Sequence, residues 1–220
     1  MREKLTSQAE DYLKALHTFE QAGKVSTQVL ADHLGVAPAS VTQMLKKLTE
    51  MALVTHAPYQ GATLTDAGRK IALELIRHHR LLETYLHQAL GYALEDVHDE
   101  AEKLEHHISE DFEARINAVL GNPTHDPHGS PIPRLDGSLP PYATRALSDV
   151  TVGEAARIGR ISETDPDFLR LVVQLGLTPG AELKVLEVNL AAGTITLKLK
   201  SDTHILGLDA AKNLWVDNFS

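Results

Sequence analysis

Residues 26–51 read STQVLADHLGVAPASVTQMLKKLTEM, and this stretch decides the fold of the N-terminal part of the chain. Ser26 suits the N-cap of a helix over Thr27–Leu34, because a serine hydroxyl accepts a hydrogen bond from a backbone N–H of the first turn. Gly35 begins the turn that follows, and Pro38 suits the first position of the next helix. A helix, a glycine-containing turn and a second helix are typical of DNA-binding units.

The neighbouring segments complete a winged helix-turn-helix domain over residues 1–64. Apolar residues at helical spacing predict a first helix from about Lys4 to Gln21. Two short strands, Leu53–His56 and Ala62–Leu64, predict a hairpin that serves as the wing. We expect exposed side chains of the second helix of the pair, its preceding turn and the wing to contact DNA: Ala37, Pro38, Ser40, Thr42, Gln43, Lys46, Lys47 and Tyr59. Glutamine suits adenine in the major groove, and lysines suit phosphates.

The rest of the chain predicts a helical domain and a β domain. Residues 65–121 carry helical periodicity, with one helix capped by Thr65 and a second from Leu94 to about Leu120 whose apolar seam favours dimerisation. Residues 122–147 are rich in proline and glycine and predict a linker. Short strands after it predict a small β-barrel over residues 148–220. The fold class is therefore mainly α with a small β domain.

Composition excludes several classes of site and of protein. The 220 residues include no cysteine, so zinc fingers, thiolate nucleophiles and iron–sulfur clusters are excluded. The net charge is −9, divided into +2 over residues 1–80 and −11 over residues 81–220, so the predicted DNA-binding part is the less acidic one. The sequence has no run of 18 apolar residues and no recognisable signal peptide, which predicts a cytoplasmic protein with no membrane partner.

Histidines and carboxylates are concentrated in the predicted helical domain. Six of the twelve histidines fall within residues 78–107. On a helix, residues three and four apart share a face, so Glu102, Glu105 and His106 are predicted on one face and His79 and Glu83 on another. Two such faces meeting in a core offer nitrogen and oxygen ligands to a divalent cation. The alternative is a polar stripe exposed to solvent.

The same motifs resemble those of the diphtheria-toxin-repressor family of iron- and manganese-dependent regulators. The resemblance rests on HRLLE at residues 79–83, HDEAEKLEH at residues 98–106 and SPIP at residues 130–133. It implies that the C-terminal β domain is an SH3-like, iron-transport-associated module. It also implies a regulatory metal site at Asp11, Glu102, Glu105 and His106. A second site is implied at His79, Glu83 and His98, with Glu163 as the candidate ligand from the barrel and Asp165 or Asp167 as alternatives.

Two positions in this pattern bear on the choice of metal. Iron-responsive members of the family carry cysteine at position 102 and methionine at position 11, whereas this chain has glutamate and aspartate, as in the manganese-responsive branch. Lys14 departs from that branch, which tends to have glutamate there. Oxygen ligands suit Mn²⁺, and Fe²⁺, Co²⁺, Zn²⁺ or Cd²⁺ are possible substitutes because intrinsic affinity does not favour manganese.

The predicted function is a manganese-dependent regulator, a repressor of metal-uptake genes, that binds a palindromic operator in double-stranded DNA as a homodimer. One alternative is an iron-responsive regulator, or a metal-independent one whose metal sites are only structural. A more remote alternative is a metal-dependent hydrolase. The chain is expected not to be an enzyme, since it lacks a His-Glu-x-x-His helix, a glycine-rich phosphate loop and a recognisable Ser/His/Asp arrangement.

Overall fold

The computed structural model describes residues 5–20, 23–57, 61–163 and 165–218 of the chain. The chain divides into two compact units. The first unit comprises the chain up to His79 together with the segments Glu105–Ile108 and Pro133–Ser138. The second comprises Arg80–Leu104, Ser109–Ile132 and the chain from Leu139 onward. Among the described residues, none of the helices is long and apolar enough to span a membrane.

The first unit begins with three helices that follow their predicted boundaries closely: α1 (Ser7–Phe19), α2 (Thr27–Leu34) and α3 (Pro38–Glu50). Ser26 caps α2 as predicted, since its hydroxyl accepts a hydrogen bond from the Val29 N–H at 3.2 Å. Gly35 ends α2 with φ of 64°, a left-handed conformation that glycine adopts without steric cost. The helix-turn-helix prediction is confirmed.

A short hairpin follows, with β1 (Val54–Ala57) pairing antiparallel with β2 (Gly61–Leu64). It stands where the wing was predicted, and the predicted DNA contact Tyr59 lies outside the described residues. The Thr65 hydroxyl accepts a hydrogen bond from the Gly68 N–H at 3.2 Å and so caps the long helix α4 (Asp66–Leu90), as predicted. The core of this unit includes the apolar residues Leu13, Leu16, Leu30, Val41, Leu45, Leu48 and Leu53.

The predicted helix from Leu94 to about Leu120 is wrong, because the structure has two helices there. These are α5 (Val97–Leu104) and α6 (Glu110–Val119). Ser109 starts α6 as its N-cap, with its hydroxyl accepting a hydrogen bond from the Phe112 N–H at 3.2 Å. Glu105 and His106 therefore lie in the turn after α5, and the proposed single helical face with Glu102 does not exist.

The second unit contains a six-stranded sheet with strand order β3-β8-β4-β5-β6-β7, in which neighbours are antiparallel. The strands are β3 (Arg145–Ala146), β4 (Ala155–Ile161), β5 (Glu182–Asn189), β6 (Thr194–Leu199), β7 (Asp202–Gly207) and β8 (Leu214–Asn218). Two helices accompany the sheet, α7 (Pro166–Gln174) and α8 (Leu208–Ala211). The sheet and α7 bury a second apolar core that also includes Leu94, from the segment before α5.

Candidate metal centre

The first unit brings together a group of carboxylates around His106. Asp11, Glu105 and His106, here called the first cluster, each offer a ligand atom, and these atoms lie within 4.8 Å of one another. His106 Nε2 lies 3.0 Å from Asp11 Oδ1 and 3.7 Å from Glu105 Oε1. On the other side of the ring, Nδ1 lies 2.7 Å from Glu10 Oε2. The imidazole thus lies between carboxylates at both of its nitrogens.

The first cluster joins two segments that lie far apart in the sequence. Glu10 and Asp11 are adjacent on α1, which is part of the DNA-binding fold, whereas Glu105 and His106 lie almost a hundred residues later. The main chain is also held here, because the ring of the fully buried His78 hydrogen-bonds the Glu105 carbonyl oxygen at 3.2 Å. The cluster fixes the turn after α5 to the first helix.

Electrostatics keep His106 charged when no cation is bound. Burial alone would lower its pKa. The hydrogen bonds to Asp11 and Glu10, together with the charges of Asp11 and Glu105, outweigh burial and raise the pKa of His106 to about 9. The imidazolium therefore takes the place of a cation among these carboxylates, and it must lose a proton before the ring can act as a ligand.

A second cation of the protein lies on the other side of Glu105. Lys14 Nζ donates to both carboxylate oxygens of Glu105 at 2.9 Å. Glu105 is fully buried, and its Oε2 also lies 2.5 Å from Nδ1 of the buried His79. The predicted ligand His79 therefore contacts Glu105, a residue that the sequence assigned to the other site.

The second unit contains another group of four possible ligands, Glu83, Asp126, His128 and Glu163, here called the second cluster. One ligand atom of each lies within 4.8 Å of the others. His128 Nδ1 lies 3.4 Å from Glu163 Oε2 and 3.8 Å from Glu83 Oε1. Glu83 and Glu163 were predicted ligands, whereas Asp126 and His128 were missed because they stand in the segment interpreted as a linker.

The segment around His128 is folded rather than extended. The Asp126 carboxylate accepts hydrogen bonds from the backbone N–H groups of His128 and Ser130, each at 2.9 Å, which closes a tight turn. Gly129 completes the turn with φ of 85°, and a Cβ there would lie 2.0 Å from the carbonyl oxygen of Gly159. Only glycine permits this close approach to β4. The motif Asp126-Pro-His-Gly129 is the sequence signal that could have revealed the site.

The orientation of the His128 ring suits metal binding. Its Nε2 lies 3.0 Å from the Leu94 carbonyl oxygen, so Nε2 carries a hydrogen, and once the ring is neutral the lone pair of Nδ1 faces the carboxylates. Among the buried atoms of the described residues that make no hydrogen bond are Asp126 Oδ2, His128 Nδ1 and Glu163 Oε2, although Arg80 Nε forms an ion pair with Asp126 Oδ2 at 3.5 Å. Buried oxygen and nitrogen atoms without a hydrogen bond are suited to ligate a cation.

The charges of the second cluster lead to the same conclusion. Burial, reinforced by the charges of Glu83 and Glu163, raises the pKa of Asp126 well above its usual range. Burial alone would lower the pKa of His128, but the nearby carboxylates of Glu83, Glu163 and Asp126 outweigh this effect and raise it. Protons thus compensate the crowded carboxylates in the absence of a cation, and a divalent ion would replace them.

The remaining predicted site residues fall into two groups. In the second unit, His98 Nδ1 lies 3.3 Å from Glu83 Oε1, and Nε2 lies 3.9 Å from Glu102 Oε1, whose side chain is 40% exposed. In the first unit, the residues predicted to contact DNA are all exposed wherever they are described: Ala37, Pro38, Ser40, Thr42, Gln43, Lys46 and Lys47. Their exposure follows from the burial of Val41, Leu45 and Leu48 on the opposite face of α3.

Comparison with known proteins matches the chain in three consecutive segments. Residues 4–62 match the N-terminal DNA-binding domain of iron-dependent repressors, and residues 65–134 match their metal-binding and dimerisation domain. Residues 145–218 match the FeoA domain. The iron-dependent repressor IdeR of Mycobacterium leprae is 32% identical over 194 residues, which cover 82% of this chain and 84% of IdeR. The chain belongs to the diphtheria-toxin-repressor family.

Solved structures of this family agree with the fold. A manganese-dependent transcriptional repressor in complex with manganese is 42% identical, covers 96% of this chain and 100% of its own, and has a TM-score of 0.89. ScaR with bound Zn²⁺ is 30% identical, covers 96% of this chain and 99% of its own, and has a TM-score of 0.81. Members of the diphtheria-toxin-repressor family are metal-dependent transcriptional repressors rather than enzymes, which confirms the prediction. The predicted fold class is confirmed as well, including the SH3-like C-terminal domain.

Proposed function

We propose that this repressor responds to Mn²⁺, which the first cluster binds through Asp11, Glu105 and His106. The observation that carries the proposal is the position of His106, 3.0 Å from Asp11 on α1 and next to Glu105 in the turn after α5. These are hard oxygen and nitrogen donors of the kind that Mn²⁺ accepts. Glu102 is kept as a further ligand on the family resemblance alone.

The choice of manganese over iron rests on the donor set and on relatives. The chain has no cysteine, so a thiolate that would favour softer ions is absent. A relative 42% identical is a manganese-dependent repressor with manganese bound. Zn²⁺ and Cd²⁺ bind the relative ScaR, so we expect both to compete for this site in vitro. Iron-responsive regulation is the rival reading, and IdeR is the relative that favours it.

The mechanism follows from what the first cluster holds together. Without a divalent cation, the carboxylates of Glu10, Asp11 and Glu105 repel one another, and the Lys14 ammonium and the His106 imidazolium oppose part of this repulsion. When His106 and the carboxylates ligate one ion, α1 and the turn after α5 are held in one arrangement. We expect this to shift the population towards the DNA-competent form, because the ion binds that form more tightly.

In this proposal α3 is the helix that enters the major groove. Gln43 reads adenine through paired hydrogen bonds, while Lys46 and Lys47 contact phosphates. Ala37, Pro38, Ser40 and Thr42 line the same exposed side. A homodimer sets two such helices against a palindromic operator. The exposed apolar side chains Phe112 and Val119 on α6, together with the match to a dimerisation domain, support the dimer.

We assign the second ion to the second cluster rather than to His79, Glu83 and His98. His128 supports this assignment, because it is fully buried and its Nδ1 faces Glu83 and Glu163. The variant His128→Gln keeps a donor for the Leu94 carbonyl and removes the ligand. It should take up one Mn²⁺ fewer per chain than wild type. Loss of that ion from His98→Ala, with none lost from His128→Gln, would contradict the assignment.

The test of the regulatory proposal is metal-dependent binding to DNA. A duplex is selected from a random library in the presence of Mn²⁺, labelled, and followed by fluorescence anisotropy with chelator-stripped full-length protein. We expect tight binding only with metal, at a lower concentration of Mn²⁺ than of Fe²⁺. Asp11→Ala and His106→Ala should abolish the response while circular dichroism shows a folded protein.

The matched control is Asp209→Ala, which removes a carboxylate that is 96% exposed and far along the chain from the first cluster. It should respond like wild type. Equal affinity for DNA with and without metal would refute metal control and favour metal-independent binding. A lower threshold for Fe²⁺ than for Mn²⁺ would favour the iron-responsive alternative.

A further inference from the structure

Lys14 contributes a positive charge directly beside the first cluster. It stands one turn after Asp11 on α1, and its Nζ lies 2.9 Å from both oxygens of Glu105. The lysine side chain is 20% exposed and the Glu105 side chain is fully buried, so the ion pair is only weakly screened by solvent. The same Nζ lies 3.4 Å from His79 Nδ1.

The two oxygens of Glu105 have different further neighbours. Oε2 lies 2.5 Å from His79 Nδ1, and Oε1 lies 3.7 Å from His106 Nε2. Oε1 is therefore the oxygen placed to ligate a cation together with His106. An additional cation at Oε2, where His79 Nδ1 could serve as a ligand, would have to displace the Lys14 ammonium.

The charge balance of the site indicates how many ions it holds. Glu10, Asp11 and Glu105 together carry three negative charges, and Lys14 supplies one positive charge. Once His106 is a neutral ligand, the remaining charge is −2, or −3 if Glu102 also ligates, so one divalent ion brings the site to 0 or −1. A second divalent ion would leave a net positive charge in a largely buried site, which is electrostatically costly.

We propose that the Lys14 ammonium is a built-in cation of the first cluster that limits it to one divalent ion and weakens its affinity for that ion. The inference rests on the proposed metal binding by Asp11, Glu105 and His106. Lys14 acts on affinity and stoichiometry through its charge, and it is not itself a ligand. A regulator with this ammonium responds at higher Mn²⁺ concentration than one without it.

The test is a titration of stripped full-length protein with Mn²⁺, with the free ion followed by electron paramagnetic resonance. Lys14→Met removes the charge and keeps a similar side-chain length. It should bind Mn²⁺ at least about tenfold more tightly at the first cluster, since two charges a few ångströms apart interact by several kcal/mol near a protein surface. Lys14→Glu should take up one more ion per chain than wild type.

Lys14→Arg is the matched control, because it keeps the charge, and its affinity should stay within about threefold of wild type. If Lys14→Met does not fold, Lys14→Gln keeps a hydrogen-bond donor for Glu105 without the charge and should show the same gain. Unchanged or weaker affinity in the uncharged variants, or an unchanged number of ions in Lys14→Glu, would overturn the inference. Failure of the proposed function is seen separately, as wild-type DNA binding that does not depend on metal.

Discussion

Lowering the pH is the perturbation that tests the first cluster most directly, because His106 must lose a proton before it can ligate a cation. The pKa of His106 is raised to about 9 in the protein without metal. A histidine with an ordinary pKa would already be neutral at pH 7.5. A divalent ion therefore competes with the proton on this ring over the whole neutral range.

The magnitude follows from the fraction of neutral imidazole. With a pKa of about 9, that fraction falls about thirtyfold between pH 8.0 and pH 6.5, and the apparent Kd for Mn²⁺ should rise by the same factor. With the ordinary pKa of about 6.5, the rise over the same interval is only about twofold. The sign follows from the competition with the proton, which weakens metal binding as the pH falls, and the raised pKa makes this effect larger over the chosen interval.

The assay is the Mn²⁺ titration by electron paramagnetic resonance, carried out in the His128→Gln background so that the second cluster does not add its own proton release. Glu10→Gln removes one of the charges that hold the proton on His106, so its dependence on pH should be shallower than that of the background protein. If the apparent Kd of the background protein, which keeps Glu10, rose only about twofold between pH 8.0 and pH 6.5, the raised pKa of His106 would be refuted. An unchanged slope in Glu10→Gln would show that Glu10 does not hold the proton.

Two further predictions concern the fold and the DNA interface. Gly129→Ala should lower the free energy of unfolding by more than the ~1–2 kcal/mol that a positive φ costs alanine, because the new Cβ would meet the Gly159 carbonyl. The control is Gly91→Ala, where φ is also positive but a Cβ would meet no atom within 4 Å, so chemical denaturation should show a loss of only ~1–2 kcal/mol. Lys46→Ala should reduce the slope of log affinity against log salt concentration for operator binding by about one, because one phosphate contact is lost. Gln43→Ala should cost about 1–3 kcal/mol of binding free energy, and only for operators with the base pair that Gln43 contacts. Equal losses from both variants on all DNA sequences would contradict base readout by Gln43.

The DNA-binding helices could be predicted almost to the residue because their signals are local. The cap at Ser26, the left-handed Gly35 and the helix-starting Pro38 each act within a few residues of their position. The bounds of α2 agree with the prediction at both ends. No distant contact was needed to place these elements.

The break between α5 and α6 could not be predicted from periodicity. Apolar residues continue at helical spacing through Leu104, Ile108 and Phe112, so the pattern alone favours one helix. The turn is stabilised instead by distant partners, since the ring of His78 hydrogen-bonds the Glu105 carbonyl and Lys14 binds the Glu105 side chain. Those contacts exist only in the folded protein.

Two features of the second unit carry weak or ambiguous signals in the sequence. In β4 the register shifts between Ile158 and Arg160, which interrupts the alternation of buried residues that marks a strand. Asp165 was considered as a ligand, yet its side chain accepts hydrogen bonds from the N–H groups of Asp167 and Phe168 and caps α7. An aspartate before a proline is compatible with both a metal ligand and a helix N-cap, and the structure shows that Asp165 is an N-cap.

The position of Glu83 shows why sequence alone does not decide which histidine a carboxylate shares a site with. Its Oε1 lies 3.3 Å from His98 Nδ1 and 3.8 Å from His128 Nδ1, so two histidines flank one carboxylate. Helical spacing and family resemblance emphasise His98, which is 30% exposed, whereas His128 is fully buried and also faces Glu163. Burial favours His128, because a desolvated ligand atom facing several carboxylates gains most from a cation. In the proposed assignment, the segment that carries His128 contributes to a metal site as well as connecting two domains.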